Sequence, residues 1–162
     1  ISGSGAILEY LEDAYHAENL IGESPTERAE VRRLMSWFND KFGREVSDLI
    51  YEEKFVKRFL IKDEPNSQAV RAGLKNIRTH LDYIGYLTDR RNWLAGDEFS
   101  LADIVAGAHL SSIDYMGDVP WDNYAPAKEW YARLKSRPSL RPLLEDYIPG
   151  FPPPKHYADL DF

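Results

Sequence analysis

Apolar side chains recur every three or four residues along most of the chain, which is the spacing that places them on one face of an α-helix. A short pattern of this kind follows Ser4, and it predicts a first helix that Ser4 caps. A longer pattern predicts a second helix from Pro25 to about Leu60, with a bend at Gly43. Its start is marked by Ser24, which is followed by proline at the first helical position and by the glutamate of a capping box at the third.

A third helix is predicted after Asn66, because its apolar positions alternate steps of four and three, as in antiparallel bundles. Only about two heptads obey this spacing, fewer than a long coiled coil needs. Two shorter helices are predicted at 124–135 and 139–144. Residues 149–162 contain three consecutive prolines and no periodicity, which predicts an extended tail. No strand pattern stands out, so the sequence predicts an all-α bundle of five or six helices.

The helix that begins at Ser100 differs from the others because it is apolar all round. Ser100 is its predicted N-cap, and Asp103 is placed to reach back to the amide of Ser100 in a shortened capping box. A helix without a polar face belongs in the centre of a bundle. Its small residues Gly107 and Ala108 would let neighbouring helices approach closely. This spacing explains Asp103 as a helix cap before any catalytic role.

The composition indicates a folded domain that does not bind nucleic acid. The 162 residues are 43% hydrophobic, and 27 acidic against 20 basic side chains give a formal net charge of −7. Such a chain offers no attraction to phosphate backbones or anionic lipid. The lack of cysteine excludes disulfides and thiolate sites, and a cytoplasmic location is expected. No apolar run approaches the roughly 20 residues that cross a bilayer, which argues against membrane insertion.

The histidines are scattered singly, and no metal site is predicted. None of His16, His80, His109 and His156 has a second histidine three or four positions away. His109 lies in the apolar helix and is expected to be a hydrogen-bonded core residue. No phosphate loop, Ser-His-Asp order or nucleophile elbow is present, so no catalytic residue is assigned.

Residues 96–104 resemble the start of the central helix in the C-terminal domain of glutathione transferases, and residues 130–139 are similar to the last long helix of that domain. This resemblance implies a glutathione transferase C-terminal-like helical bundle around a buried central helix. Residues 1–16 would be the last helix of a thioredoxin-like N-terminal domain whose remainder is absent. Residues 24–148 would form the helical domain, and 149–162 the acidic, aromatic tail.

The resemblance also implies candidate binding residues. In that family the catalytic residue lies in the N-terminal domain, and glutathione is the co-substrate. Ser4 matches a glutathione-binding position, whereas Gly3 replaces a polar residue and offers nothing to the ammonium group. Tyr51, Phe55 and Phe59 form a row at helical spacing. Tyr51 and Phe55 would border a pocket for hydrophobic electrophiles, although the row is equally well explained as core. Homodimers are typical of the family.

Residues 115–121 and 156–162 resemble, more narrowly, bacterial glutathione transferase-like cell-division proteins that bind the tubulin homologue FtsZ. The partner-binding residues implied by this match are His156, Tyr157, Asp159, Asp161 and Phe162. Two functions therefore stay open. One is a scaffold that binds an FtsZ filament and regulates cell division, which Gly3 and the tail favour. The other is an active transferase that conjugates glutathione to hydrophobic electrophiles.

Overall fold

The computed structural model of the protein describes residues 1–15, 19–160 and 162, and these residues fold into helices with short connections. Within them, extended pairing is limited to one isolated bridge between Ile148 and Phe151. The α-helices are α1 (Ser4–Ala14), α2 (Pro25–Ser36), α3 (Asp48–Tyr51), α4 (Ser67–Thr88), α5 (Leu101–Tyr115), α6 (Ala125–Lys135) and α7 (Arg141–Leu144). Single 3₁₀ turns occur at Trp121–Asn123 and Pro138–Leu140. The all-α prediction is confirmed.

Helices α2 and α3 belong to one continuous rod that spans residues 25–61. They are joined by a first π-helical segment (Trp37–Ser47), and a second (Glu52–Ile61) completes the rod. At the end of the first segment the amide of Asp48 donates to the carbonyl five residues back, at Gly43. The predicted extent of this helix is confirmed. Its wide turns were not predicted, because apolar steps of three and four do not distinguish an α turn from a π turn.

The N-termini of α2 and α1 can be compared with the capping residues that the sequence predicted. At α2 the amide of Glu27 donates to the Ser24 hydroxyl at 3.2 Å, and the Glu27 carboxylate accepts from the Ser24 amide at 3.0 Å. This capping box is confirmed. The prediction that Ser4 caps α1 is wrong, because Gly3 occupies the cap position and Ser4 is the first helical residue. Gly3 has a φ of 89°, which glycine adopts without the steric cost that serine would incur.

Helix α5 occupies the centre of the bundle, as predicted. It packs against α2, the first π segment, α3 and α6, and most of its residues are buried. A Cβ built on Gly107 would lie 2.2 Å from Leu134 Cδ2, so this glycine lets α5 and α6 approach closely. Ala108 departs from the predicted burial: it is exposed, because this side of α5 forms the wall of a cavity.

The chain after α7 folds back onto the bundle. Tyr157 is only 2% exposed and packs with Tyr115 and Leu144 in a second, smaller apolar cluster. The tail differs from the expected extended form, since the amide of Tyr157 donates to Pro154 and that of Asp159 to His156 in two tight turns. In the described part of the chain, no helix is both long and apolar enough to cross a membrane.

Candidate functional site

A cavity of about 590 Å³ lies between α5, the end of α3 and the folded-back tail. This volume is in the range of small-molecule sites. Tyr51 and Phe55, the predicted pocket residues, both line it, together with Ala108 and Ser112 of α5 and with Phe151 of the tail. The structure thus brings together residues from three parts of the sequence that local patterns could not connect.

An aromatic ladder runs beside this cavity, and its members Tyr51, Phe55 and Phe151 line the cavity wall. The rings of Tyr51 and Phe55 are stacked with their centroids 5.2 Å apart, and Phe59 follows at 5.3 Å from Phe55. Phe151 of the tail completes the ladder at 6.1 Å from Phe55 and 5.4 Å from Phe59. Aromatic pairs at such centroid distances contribute roughly 0.5–1.5 kcal/mol of stability beyond the burial of their surface area. The wall is therefore shared by the rod and the tail.

Tyrosine hydroxyl groups hold the tail at the cavity. The Tyr115 hydroxyl donates to the carbonyl of Phe151 at 2.9 Å and accepts from the amide of Ile148 at 2.8 Å. The Tyr157 hydroxyl lies 2.8 Å from that of Ser111. Burial raises the pKa of Tyr157, so this phenol stays protonated at neutral pH. The tail backbone next to the cavity is thus fixed by side chains of α5.

A buried lysine anchors the tail on its other side. Lys135, 1% exposed, donates through Nζ to the carbonyl of His156 at 3.0 Å and to the carbonyl of Asp159. The same Nζ lies 4.0 Å from the centroid of the Phe162 ring. Desolvation lowers the pKa of Lys135, while Asp114 and Asp159 oppose that effect. Sequence reasoning missed this anchor, because nothing local distinguishes Lys135 from a surface lysine.

Asp114 forms a second buried polar centre under the tail. Its Oδ1 accepts from Trp121 Nε1 at 2.7 Å and lies 3.0 Å from His156 Nε2. The His156 ring is stacked on Phe162 at 5.7 Å, and Phe162 also meets the edge of Trp121. Asp114 is a carboxylate near the end of a helix that is mostly apolar, and this was the signal that could have indicated a buried partner here.

The predicted partner-binding residues differ in their accessibility. Asp159 is exposed, and His156 and Phe162 are half-buried at the edge of the docked tail. Tyr157 is turned into the bundle, where it holds the tail in place rather than facing solvent. Asp161 lies outside the described residues. His156, Asp159 and Phe162 are thus at least partly accessible to solvent, and we call these three residues of the docked tail the tail surface.

Ser4 lies in a separate hollow of about 400 Å³ at the start of α1, which Arg32 and Glu9 also line. These two side chains form a bidentate pair with N–O distances of 2.7 and 2.8 Å. Ser4 is exposed, and its amide is among those at the N-terminus of α1, the end of a helix that favours anions. Gly3 lines the same hollow without contributing a side chain.

Histidine side chains in the described part of the chain serve as hydrogen-bonding residues. His109 Nδ1 lies 2.9 Å from the Ser47 hydroxyl, as expected for a hydrogen-bonded residue, and burial lowers the pKa of His109. Trp37 Nε1 donates to His80 Nδ1 at 3.1 Å. His16 lies outside the described residues. Among those that are described, no group of three or more His, Cys, Asp or Glu side chains is arranged to hold a metal ion.

The Ser100 and Asp103 capping box is confirmed and is more extensive than predicted. Asp103 Oδ2 accepts from both the amide and the hydroxyl of Ser100, at 3.1 and 3.0 Å. Its Oδ1 accepts from the Leu94 amide at 3.0 Å and from Trp130 Nε1 at 2.8 Å. Desolvation raises the pKa of Asp103, and these four donors counteract it. The role of this carboxylate is structural.

Comparison with known proteins places this architecture in a family. Residues 67–133 match the sequence model described as glutathione S-transferase, C-terminal domain. The chain is 51% identical over 157 residues to FtsZ-localized protein A of Caulobacter vibrioides, and the alignment covers 97% of this chain and 69% of that protein.

Solved structures give the same result. A glutathione S-transferase from Rhodospirillum rubrum F11 superposes with a TM-score of 0.96 at 54% identity, covering 100% of this chain and 73% of the other. FzlA from C. crescentus superposes with a TM-score of 0.96 at 50% identity, covering 100% and 72% of the two chains. Since both sequence and fold agree along nearly its whole length, the chain belongs to the glutathione S-transferase family and is a homologue of FtsZ-localized protein A.

Proposed function

We propose that the protein is a scaffold with a glutathione transferase fold that binds FtsZ filaments and regulates cell division. The observation that carries this proposal is the 51% identity to FtsZ-localized protein A, which extends over 97% of the chain. The aligned region spans 157 of the 162 residues and therefore includes α5. A scaffold needs a stable surface and no thiol chemistry.

The tail surface is the proposed filament contact. It combines the exposed Asp159 with the half-buried rings of His156 and Phe162, and Asp161 is included on the sequence resemblance. Because Lys135 and Tyr157 hold this segment on the bundle, little conformational entropy is lost when a partner binds. The carboxylate of the exposed Asp159 favours a basic side chain on the partner.

Co-sedimentation with FtsZ filaments assembled with GTP tests the proposal. The protein is expected to pellet with filaments, and Asp159→Lys is expected to weaken its affinity at least fivefold while circular dichroism shows that the helical bundle stays folded. Glu64→Lys is the matched control, because it reverses one exposed carboxylate outside the tail surface. No pelleting of the unaltered protein would overturn the scaffold function, whereas equal losses in both variants would remove the tail surface from it.

A homodimer is the proposed assembly, by analogy with the family. Two copies would present two tail surfaces, and simultaneous binding to neighbouring subunits of a filament would raise the apparent affinity without new contacts. Sedimentation velocity measures the oligomeric state directly, and a monomer at micromolar concentration would rule this arrangement out.

An active glutathione transferase is the second candidate, and the cavity lined by Tyr51 and Phe55 favours it. In this function glutathione is the co-substrate, Ser4 holds a carboxylate of glutathione, and the cavity receives a hydrophobic electrophile. Calorimetric titration of the full-length protein with glutathione and an assay of that protein with an aryl halide test it. Micromolar binding with turnover, and a raised KM for glutathione in Ser4→Ala, would establish the transferase, whereas absence of both would exclude it.

A further inference from the structure

Two arginines at the C-terminal end of α6 lie over the same tryptophan ring. The guanidinium carbon of Arg133 is 5.1 Å from the centroid of the Trp93 ring, and that of Arg137 is 5.8 Å from it. Arg137 also lies over Phe99, at 3.7 Å from its ring centroid. Trp93 and Phe99 meet edge to face at 5.0 Å. These four residues form one cluster, which we call the arginine surface.

The guanidinium groups of this cluster have no carboxylate partner. Arg91, in the loop that precedes α5, donates to Glu30 at 2.7 Å. Arg133 and Arg137, by contrast, form no ion pair or side-chain hydrogen bond with any residue that the structure describes, and Nε of Arg137 is buried without an acceptor. Contact with a ring occupies the face of a guanidinium group and leaves the N–H groups at its edge able to donate. The cluster therefore has hydrogen-bonding capacity that the fold does not use.

The arginine surface is accessible and already ordered. Arg133 is exposed, and Trp93, Phe99 and Arg137 are half-buried. Because the rings hold the guanidinium groups in place, little side-chain entropy is lost when a partner binds. A favourable interaction with the C-terminus of α6 explains the positive charge here but not the ring contacts. Arginine and tryptophan are the residue types that often dominate the energetics of protein interfaces.

The charge of the cluster indicates what it binds. The whole chain carries a formal net charge of −7, so two unpaired arginines over one ring are a local exception. At physiological ionic strength, charges are screened over about 8 Å, so a bound group responds mainly to the two arginines and little to distant carboxylates. A guanidinium group can bind a carboxylate through two parallel hydrogen bonds. Two such groups match a segment that carries at least two acidic side chains.

This surface is separate from the tail surface. Lys135, between the two arginines in sequence, is buried and donates to the carbonyl groups of His156 and Asp159 in the tail. Side chains two positions apart on an α-helix point about 200° apart, so Arg133 is directed away from the side of α6 that holds the tail. A partner bound to the arginine surface therefore leaves the tail surface accessible.

We propose that the arginine surface binds an acidic segment of a partner protein, whose carboxylates pair with Arg133 and Arg137. The rings of Trp93 and Phe99 hold the two guanidinium groups in position for this contact. The tail surface favours a basic group instead, so the two surfaces select partners of opposite charge. The proposal depends on neither FtsZ binding nor transferase activity.

Titration of the full-length protein with hexaglutamate tests the binding, with the indole N–H signals followed by nuclear magnetic resonance. Trp93→Phe identifies the Trp93 signal, which is expected to shift with a Kd of about 1 mM or below. The signal of Trp130, which is buried and bonded to Asp103, should keep its position. Hexaglutamine has the same length without charge and should shift neither signal. An unmoved Trp93 signal, or tighter binding of inorganic phosphate than of hexaglutamate, would overturn the assigned partner.

Arginine variants test the contact itself. Arg133→Gln is expected to weaken hexaglutamate binding at least fivefold, and Arg133→Lys two- to threefold, because lysine keeps the charge but not the paired donors. Arg58→Gln is the matched control, since Arg58 is also exposed and lies over a ring, that of Phe59 at 5.2 Å, but is outside the cluster. It removes the same charge and should leave the Kd nearly unchanged. Equal weakening in Arg133→Gln and Arg58→Gln would mean that net charge alone governs binding, and it would exclude the arginine surface as the site.

Discussion

Asp103 and Trp130 are separated by 27 positions in the chain and are joined by a hydrogen bond of 2.8 Å from the indole nitrogen to the carboxylate, with both side chains fully buried. The same carboxylate accepts from the amides of Leu94 and Ser100. One side chain therefore fixes the loop before α5, the first turn of α5 and the middle of α6. Such a fully paired network defines a single arrangement of these three elements.

Replacing Asp103 by alanine is expected to lower the free energy of unfolding by about 3–5 kcal/mol, because buried donors of Leu94, Ser100 and Trp130 lose their acceptor. Ser100→Ala keeps that acceptor and should cost only about 1 kcal/mol. The exposed Asp97 is the control, and its alanine variant should change stability by less than about 0.5 kcal/mol. Urea denaturation measures all three, and equal losses at Asp103 and Ser100 would contradict the network.

Gly107→Ala is expected to destabilise the protein by about 1–3 kcal/mol, because the new methyl group would lie 2.2 Å from Leu134 Cδ2 in a fully packed contact. Leu134→Ala alone should cost about 2–5 kcal/mol by creating a cavity. The double variant should lose less than the sum of the two, since each change offsets the other. Gly5→Ala, whose Cβ meets nothing within 4 Å, is the matched control. Additive losses in the double variant would disprove the close approach.

The starts of α2 and α5 could be predicted from the sequence because the residues that determine them are close together in the chain. The capping boxes at Ser24 and Ser100 need only residues within one helical turn, and both were predicted correctly. Ser4 was misassigned because the deciding factor was the backbone freedom of Gly3, which a search for side-chain caps does not weigh. The side chains that cap a helix could be predicted from the sequence. The backbone conformation of Gly3, which moved the start of α1 by one residue, could not.

The candidate site was predicted only in part, because half of it comes from distant residues. Tyr51 and Phe55 stood out by their spacing on one helix. The contact of Lys135 with His156 spans 21 positions, and that of Asp114 with His156 spans 42. Contacts between residues so far apart produce no periodic pattern in the sequence from which they could be predicted. The proline-rich tail therefore indicated an extended segment, and its docking emerged from tertiary contacts alone.

His80 is expected to make stability depend on pH between about 7 and 5. Burial lowers its pKa below the ordinary value of 6.5. Folding therefore favours the neutral form of His80. The contribution of this neutral side chain to the free energy of unfolding is fully present above pH 6.5 and is lost as the pH falls through the lowered pKa. The loss for one buried histidine is at most about 1.4 kcal/mol per pH unit. Urea denaturation at pH 7 and 5.5 should show lower stability at the acidic value.

A histidine variant separates this effect from that of the carboxylates. His80→Gln keeps groups that can accept from Trp37 and donate to Glu45, and it should show a weaker pH dependence than the unaltered protein. Glu30, whose pKa is lowered to about 2 chiefly by its hydrogen bond to Arg33, titrates below this range. The pKa of Asp103 is raised, so this carboxyl group changes stability with pH in the opposite direction to His80. Asp103 is present in both the unaltered protein and His80→Gln, so its effect cancels when the two are compared. An identical pH dependence in both would rule out His80 as the cause.

Lys135→Met is expected to release the tail while the bundle stays folded. The change removes the donor for the carbonyl groups of His156 and Asp159, and hydrogen bonds from a charged donor contribute roughly 1.5–3 kcal/mol each. Lys155 is exposed within the tail, so trypsin reports on this release by cutting after it. Cleavage there should become at least fivefold faster, with circular dichroism unchanged. Lys128→Met removes only a cation 4.9 Å from the Phe162 ring and should accelerate cleavage less than twofold. Equal rates in the two variants would mean that the buried ammonium group does not hold the tail.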